Sequence, residues 1–122
     1  MSNIATGDSN TALGAQSLDA TTTGDCNVAI GFQTLTAATT AGNNTAVGTH
    51  ALLANTTGAS NVAVGALALA ANTTASNNVA LGPATMQSTT TGCKNVAVGQ
   101  GALNTKRPLA FKPGPFITSP TG

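Results

Sequence analysis

The chain has 122 residues, of which only 6% are charged and 2% aromatic, with no Trp or Tyr and a formal net charge of +1. An average domain is about one-quarter charged, so these numbers argue against a freely diffusing globule with a salt-bridged surface. The acids are Asp8, Asp19 and Asp25, the bases Lys94, Lys106, Arg107 and Lys112, and His50 is the one imidazole. No nucleophile–base pair, carboxylate pair or metal-ligand cluster can be assembled from that inventory, so neither an enzyme nor a bound cofactor or metal is expected.

A net charge this small gathers no phosphate backbone, and no basic stripe interleaves with aromatics, so nucleic acid is not an expected partner. No apolar run approaches the roughly 18 residues of a membrane span, and the Met-Ser-Asn-Ile start lacks the features of a signal peptide. Assembly in a cytoplasm and no membrane partner are therefore expected. A composition so poor in charge and aromatics also suits a chain that buries too little apolar surface to fold, unless it is regularly patterned.

It is. From the first complete unit onward, the motif Asn-[Thr/Val]-Ala-[Leu/Ile/Val]-Gly opens at Asn10, Asn27, Asn44, Asn61, Asn78 and Asn95, each start 17 residues after the last. Four places after each motif Gly comes Leu18, Leu35, Leu52, Leu69, Met86 or Leu103, and Thr pairs followed by Gly or Ala close most units. Helical solenoids need about 33 residues per unit and leucine-rich repeats at least 20. A 17-residue unit fits one coil of a parallel β-helix or β-roll. Within each coil, the motif alternates Ala with branched residues as a strand does. Its Gly ends the strand where close packing or positive φ is required. The Ala-Leu step that follows is expected to form a second strand or a bend, and Thr-Thr-Gly the outer turn.

Stacked coils place equal positions in columns about 4.8 Å apart. Ala12, Ala29, Ala46, Ala63, Ala80 and Ala97 form one column of the strand, and Leu13, Ile30, Val47, Val64, Leu81 and Val98 another on the opposite face. With both sides apolar, one side is expected inside the coil and the other against a neighbour. A coil filled largely with Ala buries little on its own, so several chains, taken as three, are expected around an axis.

The Asn column has two readings: a ladder of stacked amides that satisfies turn backbone and holds register, or an array that binds a ligand. Sequons at Asn43, Asn55 and Asn72 arise from the repeat itself. Cys26 and Cys93 are 67 residues apart, which separates them by about four coils or 19 Å. A disulfide needs Cα atoms within about 7 Å, so free thiols are expected. His50 falls in a column shared with Gln16, Gln33 and Leu67 and reads as a variable surface position.

The repeat pattern breaks at Lys106-Arg107-Pro108, where other units carry Thr-Thr-Gly. Pro108, Pro113, Pro115 and Pro120 favour an extended course, and Leu109, Phe111, Phe116 and Ile117 gather apolar side chains there. One reading is an unstructured terminus. The other is a partner-binding arm in which Lys106, Arg107, Pro108, Leu109, Phe111, Lys112, Phe116 and Ile117 meet another subunit or protein. The organisation read from the sequence is thus a β-roll repeat domain, 1–105, and an extended Pro-rich arm, 106–122. Since the acids lie at or before Asp25 and the bases at or after Lys94, the rod has an acidic first end and a basic last end, the latter suited to attachment.

The units Asn44-Thr-Ala-Val-Gly-Thr-His-Ala-Leu and Asn61-Val-Ala-Val-Gly-Ala-Leu-Ala-Leu resemble the repeats of trimeric autotransporter adhesin heads and of phage and large-virus structural proteins. That resemblance covers residues 1 to about 104 and implies an all-β, homotrimeric parallel β-roll. The chain departs from the adhesins in its period of 17, where they have units of about 14, and in showing no export signal, coiled-coil stalk or membrane anchor. Two functions are expected from these readings. The first is a virion structural protein, a capsid decoration or cement protein of bacteriophage type, held by its arm to the major capsid protein or another virion protein. The second is a receptor-binding repeat segment of a tail fibre or adhesin.

Overall fold

A computed structural model describes residues 7–21 and 23–104, together with the backbone of 116–118. It is an all-β solenoid. Six three-residue strands, β1 (Thr11–Leu13), β2 (Val28–Ile30), β3 (Thr45–Val47), β4 (Val62–Val64), β5 (Val79–Leu81) and β6 (Val96–Val98), form one parallel sheet in chain order. Each strand pairs with the next in the register of the repeat, as in Ala46↔Ala63 and Val47↔Val64. Six rungs one unit apart make about five turns. A seventh strand, β7 (Phe116–Thr118), lies antiparallel on β6, with Val96↔Thr118 and Val98↔Phe116.

The alternation within each strand decides which face is inside. Ala29, Ala46, Ala63, Ala80 and Ala97 are fully buried, and the branched columns on either side of them point outward. Ala is favoured inside because the coil is thin: the central space is filled by Leu18, Leu35, Leu52, Leu69 and Met86, all fully buried, with Ala51, Ala68 and Ala102 beside them. Three buried hydroxyls in the Ala51 column are tied back to motif glycine carbonyls, Ser17 Oγ to Gly14 at 2.9 Å, Thr34 Oγ1 to Gly48 at 3.0 Å and Thr85 Oγ1 to Gly99 at 2.6 Å.

The segment expected as a second strand or bend is turn, and no second strand forms among the described residues. In the third unit, Ala51 N–H donates to Gly48 C=O at 3.1 Å, Leu53 N–H to His50 C=O at 3.2 Å and Asn55 N–H to Leu52 C=O at 3.2 Å, so successive turns overlap. The third residues of the first two turns are His50 and Leu52, with φ of 63° and 50°. A positive φ at that place is the mark of a type II turn, which usually carries Gly or Asn there. Every unit repeats the arrangement: Leu18, Leu35, Leu52, Leu69, Met86 and Leu103 all have φ of 50–51°. The left-handed conformation turns the backbone and keeps the side chain inside, so burial of Leu offsets a backbone cost of roughly 1–2 kcal/mol.

The motif glycine meets both of its expected requirements. Gly48 has φ of 126°, and a Cβ there would stand 2.7 Å from the carbonyl carbon of Gly65 and 3.0 Å from the nitrogen of Ala66. Stacked glycines in this column let one rung's backbone rest directly on the next. Cys26 is exposed and Cys93 half-buried, neither is in a disulfide, and the Cys93 sulfur accepts the Ser76 N–H at 3.4 Å.

Candidate interaction surface

Because the middle residue of each strand points inward, the first and third both point outward. Two columns therefore run up the sheet: Thr11, Val28, Thr45, Val62, Val79 and Val96, and Leu13, Ile30, Val47, Val64, Leu81 and Val98. Ten of these twelve side chains are aliphatic and the other two are Thr. Leu13 is 66% exposed and Val64 38%. From β1 to β6 the face is about 24 Å tall at the strand spacing. It carries no charge: among the described residues, Asp8, Asp19 and Asp25 are in the first two coils and Lys94 just precedes β6. A tall stripe of β-branched side chains in water is the mark of a surface that meets another apolar surface.

Beside this face, Phe32 is 46% exposed, and its ring centroid lies 5.8 Å from that of His50 at a 49° tilt. The His50 position is half-buried and bonded along its column. Gln33 Nε2 donates to Gln16 Oε1 at 2.7 Å, and His50 Nε2 lies 2.8 Å from Gln33 Oε1. An amide oxygen only accepts, so His50 Nε2 carries the hydrogen in this arrangement.

The Asn column is a continuous internal ladder. Asn61 backbone N–H donates to Asn44 Oδ1 at 2.9 Å, Asn61 Nδ2 donates to the same oxygen at 3.1 Å and also to Ala75 C=O at 2.9 Å. The same backbone-to-amide bond links Asn10 to Asn27, Asn27 to Asn44, Asn61 to Asn78 and Asn78 to Asn95, at 2.9–3.0 Å. Asn27, Asn44, Asn61 and Asn78 are fully buried and Asn95 is 4% exposed. Asn10, half-buried at the first end, donates its Nδ2 to Gly24 C=O at 2.7 Å, and from Asn27 onward the amides are buried and bonded to one another.

A second, shorter ladder is not apparent from the motif. Asn72 Nδ2 donates to Asn55 Oδ1 at 2.7 Å, while Asn55 Nδ2 reaches Gly58 C=O at 2.9 Å and Asn72 Nδ2 reaches Ala75 C=O at 3.1 Å. It ends there because the next residue in the column is Thr89, and Asn72 Oδ1 has no partner. Both residues lie in sequons and are fully buried, so the folded chain offers neither to a glycan.

Of the arm, Lys106, Arg107, Pro108, Leu109, Phe111 and Lys112 lie outside the described residues. Phe116 and Ile117 are placed by their backbone in β7, paired to the chain's own last rung. Among the described residues, no group of three or more His, Cys, Asp or Glu is placed to hold a metal ion, and no helix is long and apolar enough to cross a membrane. Compared with protein-family models, curated proteins and solved structures, the chain matches none.

Proposed function

We propose that the chain is a virion structural protein, a small homotrimeric capsid decoration or cement protein of bacteriophage type, assembled in the host cytoplasm. The observation that carries this reading is the uncharged aliphatic sheet face, which one copy leaves in water. Three copies packed through it bury the stripe and present three arms at the basic end of the rod. Lys106, Arg107 and Lys112, with Leu109 and Phe111 between and beside them, suit an acidic surface with apolar recesses on the major capsid protein or another virion protein. Three weak arm contacts on one rigid body reinforce each other through effective concentration, which turns modest affinities into firm attachment and lets one trimer bridge adjacent capsomers. No enzyme activity, cofactor, nucleic acid or membrane enters this reading.

Sedimentation of the full chain tests the association: a trimer is expected, and Ile30→Lys with Val64→Lys yields folded monomers. A monomeric parent refutes it. Attachment is tested with particles stripped of the protein. Lys106→Glu with Arg107→Glu is expected to abolish rebinding while leaving the trimer intact, and undiminished rebinding refutes the arm as anchor.

The exposed Phe32 ring against His50 favours a second reading, a receptor-binding repeat segment of a tail fibre or adhesin, since an exposed aromatic on a rod is a platform for a sugar or receptor side chain. A glycan array separates the two. Sugar binding lost on Phe32→Ala supports the fibre.

A further inference from the structure

A parallel solenoid has two open ends, each a strand edge with unpaired backbone groups. The two ends of this rod differ. At the last end, the β6 edge is occupied by β7 in antiparallel register. At the first end, β1 is paired to β2 on one side, and among the described residues nothing pairs with its other side.

The rungs are close to interchangeable. β1 reads Thr-Ala-Leu and β6 Val-Ala-Val, and every step from β1 to β6 uses the same Ala-to-Ala register. Each strand's first residue donates forward to the Asn of the following unit, as Val28 N–H does to Asn44 C=O and Val79 N–H to Asn95 C=O, both at 2.8 Å. Following Asn95 by one more period leads to Lys112, so the chain offers β6 no seventh rung of its own kind. The β1 strand of another copy, led in by Asn10, fits that place in the register that joins β5 to β6. Charge favours the same joint. Asp8 and Asp25 are exposed at the first end and Lys94 is exposed at the last, with Lys106 and Arg107 following it in sequence. Stacking the acidic end of one copy on the basic end of the next sets opposite charges together.

We propose that β7 is an end cap, and that the partner it excludes from the β6 edge is β1 of a second copy of this chain. Such a joint is heterologous, and because it translates along the rod it does not close: without the cap, copies add end to end into a fibre. The antiparallel direction of β7 suits the role, since a strand running the other way ends the parallel series and its outer edge does not offer the register in which one rung follows another. This device is separate from the outward aliphatic sheet face, because lateral association sets how many chains lie side by side and the cap sets how far they extend.

The test compares the full chain with one ending at Asn104, each checked for fold by far-ultraviolet circular dichroism. The full chain is expected to keep one sedimentation coefficient as concentration rises. The shortened chain is expected to shift to a several-fold larger weight-average mass, with rods longer than one molecule in electron micrographs. A synthetic peptide of residues 105–122 added in excess returns it to the discrete species, and Asp8→Lys or high salt reduces its growth. Should the shortened chain lose its fold, full-length Ile117→Pro, which removes a strand N–H from β7, serves in its place with the same expected growth. A folded chain without a competent β7 that keeps the parent's mass at every concentration overturns the proposal. Amorphous aggregates in place of rods, or growth indifferent to the added peptide, overturn it as well. The number of chains side by side in the full-length protein is read independently, so failure of the trimer and failure of the cap are told apart.

Discussion

The Asn ladder predicts unequal costs for chemically identical substitutions. Asn27 Nδ2 donates to Ala41 C=O at 2.8 Å, and Asn27 Oδ1 accepts the backbone N–H of Asn44 at 3.0 Å. Asn27→Ala removes both. The carbonyl of Ala41 and the N–H of Asn44 then lack partners in a fully buried setting. A buried orphan costs about 1–3 kcal/mol, so two amount to about 4 kcal/mol. Asn61→Ala is milder. It orphans the N–H of Asn78, bonded at 3.0 Å, but Ala75 C=O keeps a second donor, Asn72 Nδ2 at 3.1 Å. Only one group is stranded, and the expected cost is about 2 kcal/mol.

The difference has a built-in rescue. Ala38 is fully buried in the column that holds Asn55 and Asn72. Ala38→Asn in the Asn27→Ala background supplies an amide where Asn72 stands relative to Ala75, and recovery of about 2 kcal/mol is expected. Urea denaturation followed by circular dichroism measures all three. With a slope of about 1–3 kcal/mol/M for a small domain, each lost orphan's worth of stability moves the midpoint by about 1 M. Equal midpoints for Asn27→Ala and Asn61→Ala, or an Ala38→Asn change that lowers stability further, refute the idea that unpartnered buried donors and acceptors set these costs.

Two further outcomes follow from the backbone. Gly48→Ala forces a Cβ to 2.7 Å from the Gly65 carbonyl carbon at a φ of 126°, and is expected to cost at least about 1–3 kcal/mol in strain alone, seen as a lowered thermal midpoint; an unchanged midpoint contradicts the close rung-on-rung contact. Ser60→Gly acts the opposite way: Ser60 is exposed with φ of 58°, so relief of about 1–2 kcal/mol of left-handed strain less about 0.5–1 kcal/mol of glycine entropy leaves a gain of about 0.5–1 kcal/mol by urea titration.

The period made much of this fold legible. Asn, Ala and Gly recur at fixed places because each touches its own counterpart one coil away, and a residue whose main neighbour is its own copy leaves a trace in one sequence. Which strand face lies inside was not legible, since Ala and Val both tolerate either side and only the thinness of the coil decides. The turns after the strand were hidden for a different reason. Type II turns are recognised by Gly or Asn at their third residue, and here Gln33, His50, Leu35 and Leu52 occupy those places with positive φ, held by burial and by bonds to neighbouring rungs. The Asn55–Asn72 pair was hidden because it spans two units and then stops. The pairing of β7 has no counterpart in the repeat at all, and its residues read only as extended chain.

The unchanging register also determines which alterations in length this architecture tolerates. Duplicating a whole unit, for example residues 44–60, copies every type of contact and lengthens the rod by one strand spacing, about 4.8 Å. Its width and chemistry stay the same. Inserting a single residue in the same place slides each later position out of its column, and sets amides against aliphatic side chains and side chains against the glycine rungs. The chain therefore works as a ruler with one graduation, on which length changes in whole steps.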